Sequence, residues 1–190
     1  VMVGPAVLTF VKELGEFFGP SAPPMFGFID SLEAVDIASP GLEFLEGSHF
    51  WEGMPRYVQP DQSEFDKFYR ERVGVNDNGA LITDPRDVSA YGHMFGCWET
   101  LHVIKDGMEA SGYRGPQDRP ALIEAVEAMR DFPHSREHPQ GPKIFNGKTH
   151  QAFGQQHISR VENGRLNRVF TSSIEDTFYP DETDYTQQSF

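Results

Sequence analysis

The sequence predicts an α/β fold, and three observations carry that prediction. A short apolar run, Met25-Phe26-Gly27-Phe28-Ile29, follows Pro23-Pro24 and has the length of a buried strand. Helical periodicities stand on both sides of it. Further on, Asn163-Gly164 separates two strand-like runs, the strongest two-residue hairpin signal available. Alternation of strands with helices is the pattern of sheets covered by helical layers.

The elements follow in order. Val7, Phe10, Val11, Leu14 and Phe17/Phe18 recur at three- and four-residue steps, which predicts a helix from Pro5 to Phe18 stopped by Gly19-Pro20. Ser48 to Trp51 is a second strand candidate, and Gly53 to Pro60 has the composition of a connection. Asp61 to Val73 returns to helix, with Phe65, Phe68, Tyr69 and Arg72 on one side, Asp61 or Ser63 as N-cap and Gly74 as the stop. The longest periodic segment, Asp87 to Ser111, carries Tyr91, Met94/Phe95, Trp98, Leu101, Ile104 and Met108 as an apolar stripe. Asp118 is placed to cap a further helix whose Leu122, Ile123, Val126 and Met129 mark one face. Beyond Phe132, Pro and Gly break any helix and short strands are expected, with His157–Val161 and Leu166–Phe170 forming the hairpin. Ser172 to Phe190 reads as an irregular arm.

Composition bounds the function. The 190 residues carry a formal charge of −13 and a pI near 4.8, with no cluster of Lys or Arg. Phosphate backbones and anionic membranes both require a concentrated basic face, so neither nucleic acid nor a lipid surface is expected as a partner. No run approaches the roughly 18 apolar residues of a spanning segment. A single cysteine, Cys97, excludes an intrachain disulfide and reads as a core or helix-face thiol. The chain opens Val1-Met2-Val3-Gly4-Pro5 without an initiator methionine, which predicts a processed or partial chain.

Three constellations can carry chemistry. His134, His138, His150 and His157, with Asp131 and Glu137, could ligate a divalent metal, and a metal-dependent enzyme built on them is one functional reading. Pro133 and Pro139 deny the helix that would bring His134 and His138 to one face, so the same residues also read as loop histidines. Nucleophile elbows and phosphate-cradling glycine loops are missing. Asp30-Ser31 lies just beyond the carboxyl end of the first predicted strand, where open α/β sheets bind ligands. A carboxylate there can pair with an ammonium or an amide N–H; equally, Asp30 can cap a helix starting at Ser31. Trp98, Phe28 and Tyr91 can wall a small ligand or simply pack.

With those residues laid out, the chain resembles the C-terminal half of the type I periplasmic solute-binding proteins, the branched-chain amino acid and amide-binding family of ABC transporters. Phe10-Val11-Lys12-Glu13-Leu14 is similar to the family helix that precedes a strand ending Gly27-Phe28-Ile29-Asp30. Glu46-Gly47 with Trp51 to Pro55 resembles its strand into a lobe crossing. Phe65-Asp66-Lys67-Phe68-Tyr69, Tyr91 to Gly112 and Ala121 to Met129 resemble its later helices. Pro139-Gln140-Gly141-Pro142, Thr149-His150 and the Asn163-Gly164 hairpin are most similar to the amide- and urea-binding branch.

The resemblance implies two Rossmann-like lobes joined by three crossings, with residues 1–53 in the second lobe, 54–152 in the first and 153–190 returning to the second. It implies a chain without the N-terminal half of the fold, a periplasmic location, no catalysis, no cofactor, and ABC permease subunits as partners. Carried onto this sequence, Asp30 matches the acidic residue that takes a ligand ammonium, with Ser31 beside it and Phe28 where a smaller residue is usual. Trp98, or Phe95 in the shifted register, matches an aromatic cleft residue. The expected ligand is a small polar or amphiphilic solute such as an amino acid, an amide or a urea. A cytoplasmic amide-sensing regulator of the same fold is the alternative.

Overall fold

The computed structural model describes residues 5–28, 37–38, 40–85, 94–130 and 132–178. The chain divides into two compact units, one formed by residues 1–62, 66–94 and 156–171, the other by 63–65, 95–155 and 172–190.

Among the described residues the first unit is built on a four-stranded mixed sheet of order β1-β2-β5-β6, with β1 at Phe26–Phe28, β2 at His49–Glu52, β5 at His157–Glu162 and β6 at Arg165–Thr171. β1 and β2 run parallel, with Phe28 opposite Trp51, and the other pairings are antiparallel. Helix α1, Pro5–Phe18, turns Val7 and Val11 into a core shared with Ile37, Leu42, Leu45, Phe50, Tyr57, Val161 and Leu166. Because side chains alternate along a strand, Phe50 and Glu52 of β2 face this core with Ser159 and Val161 of β5. The predicted hairpin forms as expected. Asn163 and Gly164 both take positive φ, +54° and +68°, the two left-handed positions of the turn whose twist matches paired strands.

Helix α2 spans Glu64–Val73 and ends at Gly74, whose φ of +79° lets the N–H groups of Gly74 and Val75 both reach the Arg70 carbonyl. Phe65 and Tyr69 are buried as expected and Phe68 is half-buried, but Arg72 is exposed, and Asp66 and Arg70 are buried beside them as an ion pair at 2.9 Å. Arg70 also donates from Nη2 to the Arg56 carbonyl at 2.7 Å and from Nη1 to the Asn76 carbonyl, so each of its three nitrogens has a partner away from water. Gln59 ties the same connection to β6, donating to the Tyr57 and Leu166 carbonyls and accepting from the Arg168 N–H.

The second unit holds helix α3 at Met94–Ser111, helix α4 at Arg119–Ala128, and a hairpin of β3, Lys143–Asn146, with β4, Gln151–Gly154. The long helix exists over its described part, but its apolar stripe is not its buried face. Leu101 is 67% exposed, Met94, Ile104 and Met108 are also exposed, and the residues turned inward are Glu99, Val103 and Gly107. Gly107 decides this orientation, since a Cβ built there would stand 2.6 Å from Val126 Cγ2 and 3.1 Å from Leu122 Cδ1 of α4. Asp118 does not cap α4 through its side chain; it accepts the Arg114 and Gly115 N–H groups instead. Pro120 supplies part of the reason, because it removes one of the N–H groups that a cap would serve. The described part of the C-terminal arm holds a short 3-10 turn at Glu175–Thr177.

Candidate functional site

The parallel pair β1–β2 has a carboxyl edge formed by Phe28 on one strand and Trp51-Glu52 on the next. Ligands of open α/β sheets bind outside such an edge. Trp51 is 39% exposed there, and its indole N–H donates to the Gln156 side-chain oxygen at the start of β5, so the ring is held in one orientation. Phe28 closes β1 in the row of Trp51. Asp30 and Ser31, the expected polar contacts, lie outside the described residues.

Glu52 was not singled out by the sequence, although its position two residues after Phe50 puts it in the buried phase of β2. It is fully buried, accepts the Ser159 hydroxyl at Oε1, and accepts the Arg56 backbone N–H at Oε2 over 3.1 Å. Loss of water raises its pKa from 4.5 to about 7, and the Ser159 and Arg56 hydrogen bonds and the charges of Arg56 and Arg168 only partly offset that. Arg168 in turn pairs with Asp61, whose carboxyl it holds below the usual range. A carboxyl group that takes up a proton near neutral pH therefore sits one residue past the Trp51 ring.

The other two expected residues belong to the second unit. Trp98 is half-buried on α3, donates its indole N–H to the Arg136 carbonyl at 2.8 Å, and lies 4.9 Å from His102 and 6.0 Å from Phe65 between ring centroids. Phe95, three residues earlier, is half-buried on the adjoining surface of the helix. Both are ordered by the same helix whose inner side carries Glu99. That carboxylate pairs with Lys143 of β3 and accepts the Gln140 N–H at 3.1 Å, while Lys143 also donates to the Gly141 carbonyl and lies 4.3 Å above the Phe132 ring. His138 Nε2 sits 2.9 Å from Asp106 Oδ2.

His134, His138, His150 and His157 have separate neighbours. His138 meets Asp106, His150 meets Glu127, His157 meets the Thr171 hydroxyl, and His134 faces the Pro139 carbonyl at 3.4 Å. Among the described residues no three His, Cys, Asp or Glu side chains are grouped to hold a metal ion. Cys97 is exposed on α3. No described helix is long and apolar enough to cross a membrane.

By sequence, no family model and no curated protein matches the chain. Solved structures do. A solute-binding protein of an ABC transporter from R. palustris, solved with benzoate, matches with a TM-score of 0.60 at 16% identity over 99% of this chain and 45% of its own. A leucine-binding protein from Thermotoga maritima matches with a TM-score of 0.58 at 17% identity over 90% and 43%. A third, from Rhodopseudomonas palustris and holding p-hydroxybenzoic acid, matches at 0.57 and 19% over 90% and 43%.

The fold is that of a type I periplasmic solute-binding protein. The chain spans less than half the length of these proteins, a share that fits a C-terminal portion of the type I fold. That fold was legible from motif order, while nothing in the order predicted which face of α3 is buried.

Proposed function

We propose that this chain is part of the substrate-binding component of an ABC importer, which captures a small solute and delivers it to membrane permease subunits without catalysis. One observation carries the reading: the fold likeness extends over 90–99% of the chain to proteins of that class. The neighbours were solved with benzoate and hydroxybenzoates or are named for leucine, so the solute class taken first is a small carboxylate with an apolar or aromatic body. An amino acid, an amide or a urea remains in the same class of polar or amphiphilic ligands. In this reading residues 1–53 and 153–190 belong to one lobe of the complete fold and 54–152 to the other. Asp30 accepts from a donor group of the solute with Ser31 beside it, while Phe28, Phe95 and Trp98 keep water out. Such a protein works in the periplasm, and closure on the solute requires that the closed state bind it better than the open one.

The test is a thermal-shift screen of the natural protein that carries this chain, against amino acids, amides, urea, benzoate and hydroxybenzoates, repeated with Asp30→Ala. A ligand that binds only the native state raises Tm by mass action. A shift of several degrees with one solute class, abolished by Asp30→Ala, supports the reading. A folded, ligand-free protein that shifts with none of them refutes it.

A further inference from the structure

In the second unit, one side of α3 carries two carboxylates, Glu99 and Asp106, seven residues apart and thus two turns along the same side of the helix. The His138 ring stands between them. Its Nε2 lies 2.9 Å from Oδ2 of Asp106, which is half-exposed, and its Nδ1 lies 3.7 Å from Oε1 of the buried Glu99, just beyond hydrogen-bond reach. His138 is 8% exposed, and its Nδ1 is buried with no hydrogen-bond partner among the described residues. Buried polar atoms are paired as a rule, and the exception here has a simple cause. A neutral imidazole has one N–H, so between two carboxylates it serves only one of them. With that proton on Nε2 for Asp106, the Nδ1 lone pair faces the Glu99 oxygen.

Other charged and titratable groups surround the ring. Glu99 also accepts from Lys143 of β3 and from the Gln140 N–H, and Asp106 lies 3.5 Å from the exposed Lys105, which Glu109 shares. His102 of α3 meets the ring edge-on at 6.4 Å between centroids, and Phe132 covers it at 4.9 Å. On the ring's own connection, His134 faces the Pro139 carbonyl, and Arg136 and Glu137 pair at the surface. Imidazole is the side chain that ordinarily changes charge between pH 5 and 8. A proton on Nδ1 turns the bare contact with Glu99 into a charge-assisted hydrogen bond, and both carboxylates are then served. We propose that His138 is a proton-operated latch, which clasps the connection from Phe132 to Lys143 onto α3 through both ring nitrogens in acid and through one at alkaline pH. Trp98 hangs on the same connection, because its indole N–H donates to the carbonyl of Arg136, two residues before His138. The latch therefore also sets how firmly that ring is held. None of this depends on which solute, if any, the protein binds.

Hydrogen exchange of the natural protein that carries this chain tests the latch, read by mass spectrometry on peptides covering residues 133–143 at pH 5.5 and pH 8. Rates are corrected for the intrinsic pH dependence of exchange. The reporting amides are those of Ser135, His138, Gln140 and Gly141, which donate within the connection or to Glu99. A connection that opens less often exchanges more slowly. Protection at least threefold greater at pH 5.5 than at pH 8 is expected, falling below threefold in His138→Gln, whose amide can still donate to Asp106. Glu52 of the first unit also takes up a proton in this range, but it does so in both proteins, so the comparison isolates His138. A change of less than threefold in the unsubstituted protein overturns the proposal, and so does a threefold change that persists in His138→Gln. If the variant fails to fold, ring nitrogen NMR of the unsubstituted protein, assigned through the His138 backbone, decides. Protons on both ring nitrogens at pH 5.5 and on one at pH 8 are expected, and a ring in the same protonation state at both overturns the proposal.

Discussion

Glu52 makes stability depend on pH in a direction opposite to that of most carboxylates. Its native pKa is raised from 4.5 to about 7, so between those values the folded state holds a proton that the unfolded state has released. Stability therefore falls as pH rises through this window, is free of the penalty below about pH 4.5, and bears all of it above about pH 7. At about 1.4 kcal/mol per pKa unit the penalty is about 3 kcal/mol, on the order of 10 °C in Tm for a chain of this size. Glu52→Gln reproduces the protonated group. Its amide NH2 can donate to the Ser159 hydroxyl while its oxygen accepts the Arg56 N–H, the partners the carboxyl now has. The assay is Tm of both proteins from pH 4.5 to 8.5, read as the difference between them so that all other titrating groups cancel. The variant is expected to gain on the unsubstituted protein steadily from pH 4.5 to 7 and then hold its lead. A difference that stays flat across the window refutes the burial argument.

Three further outcomes follow from packing and charge. Gly107→Ala drives a methyl into Val126 and Leu122 of α4 and is expected to cost about 1–3 kcal/mol in a denaturant titration, with Val126→Ala in the same chain recovering part of it. Lys143→Met leaves Glu99 as a buried charge without its cation and is expected to cost about 3–5 kcal/mol, whereas Lys143→Met with Glu99→Gln loses less than the single variant. Gly164→Ala puts a side chain at a φ of +68° in the hairpin turn, and a Tm loss equivalent to about 1 kcal/mol is expected from the same thermal scans.

What the sequence shows and what it conceals divide along the range of the forces involved. Asn163-Gly164 specifies its turn by local backbone sterics, so the β5–β6 pairing follows from four or five adjacent residues. The first helix and β1 are legible for the same reason, since periodicity and a Pro-bounded apolar run are local signals. The buried face of α3 is not local. Periodicity identified the helix but pointed to the stripe of Leu101, Ile104 and Met108, which is exposed; the buried face was set by Gly107 against α4 and by Glu99 against Lys143, 44 residues later in the chain. Glu52 shows its burial in the alternation of β2, and the Arg56 N–H that it accepts is local, but Ser159, which donates to its other oxygen, lies 107 residues away. Of the expected site, Trp98 and Phe95 are placed on one helix, Phe28 at a strand end, and Trp51 emerges beside it because of a register no single segment encodes.

Solute binding is tested most directly by native mass spectrometry of the natural protein that carries this chain, purified without denaturation or dialysis and offered benzoate, 4-hydroxybenzoate and leucine in turn. The expected result is a complex of one protein with one solute for at least one of them, lost in Asp30→Ala. A folded protein that shows only its unliganded mass with all three, and carries no other small molecule, contradicts it.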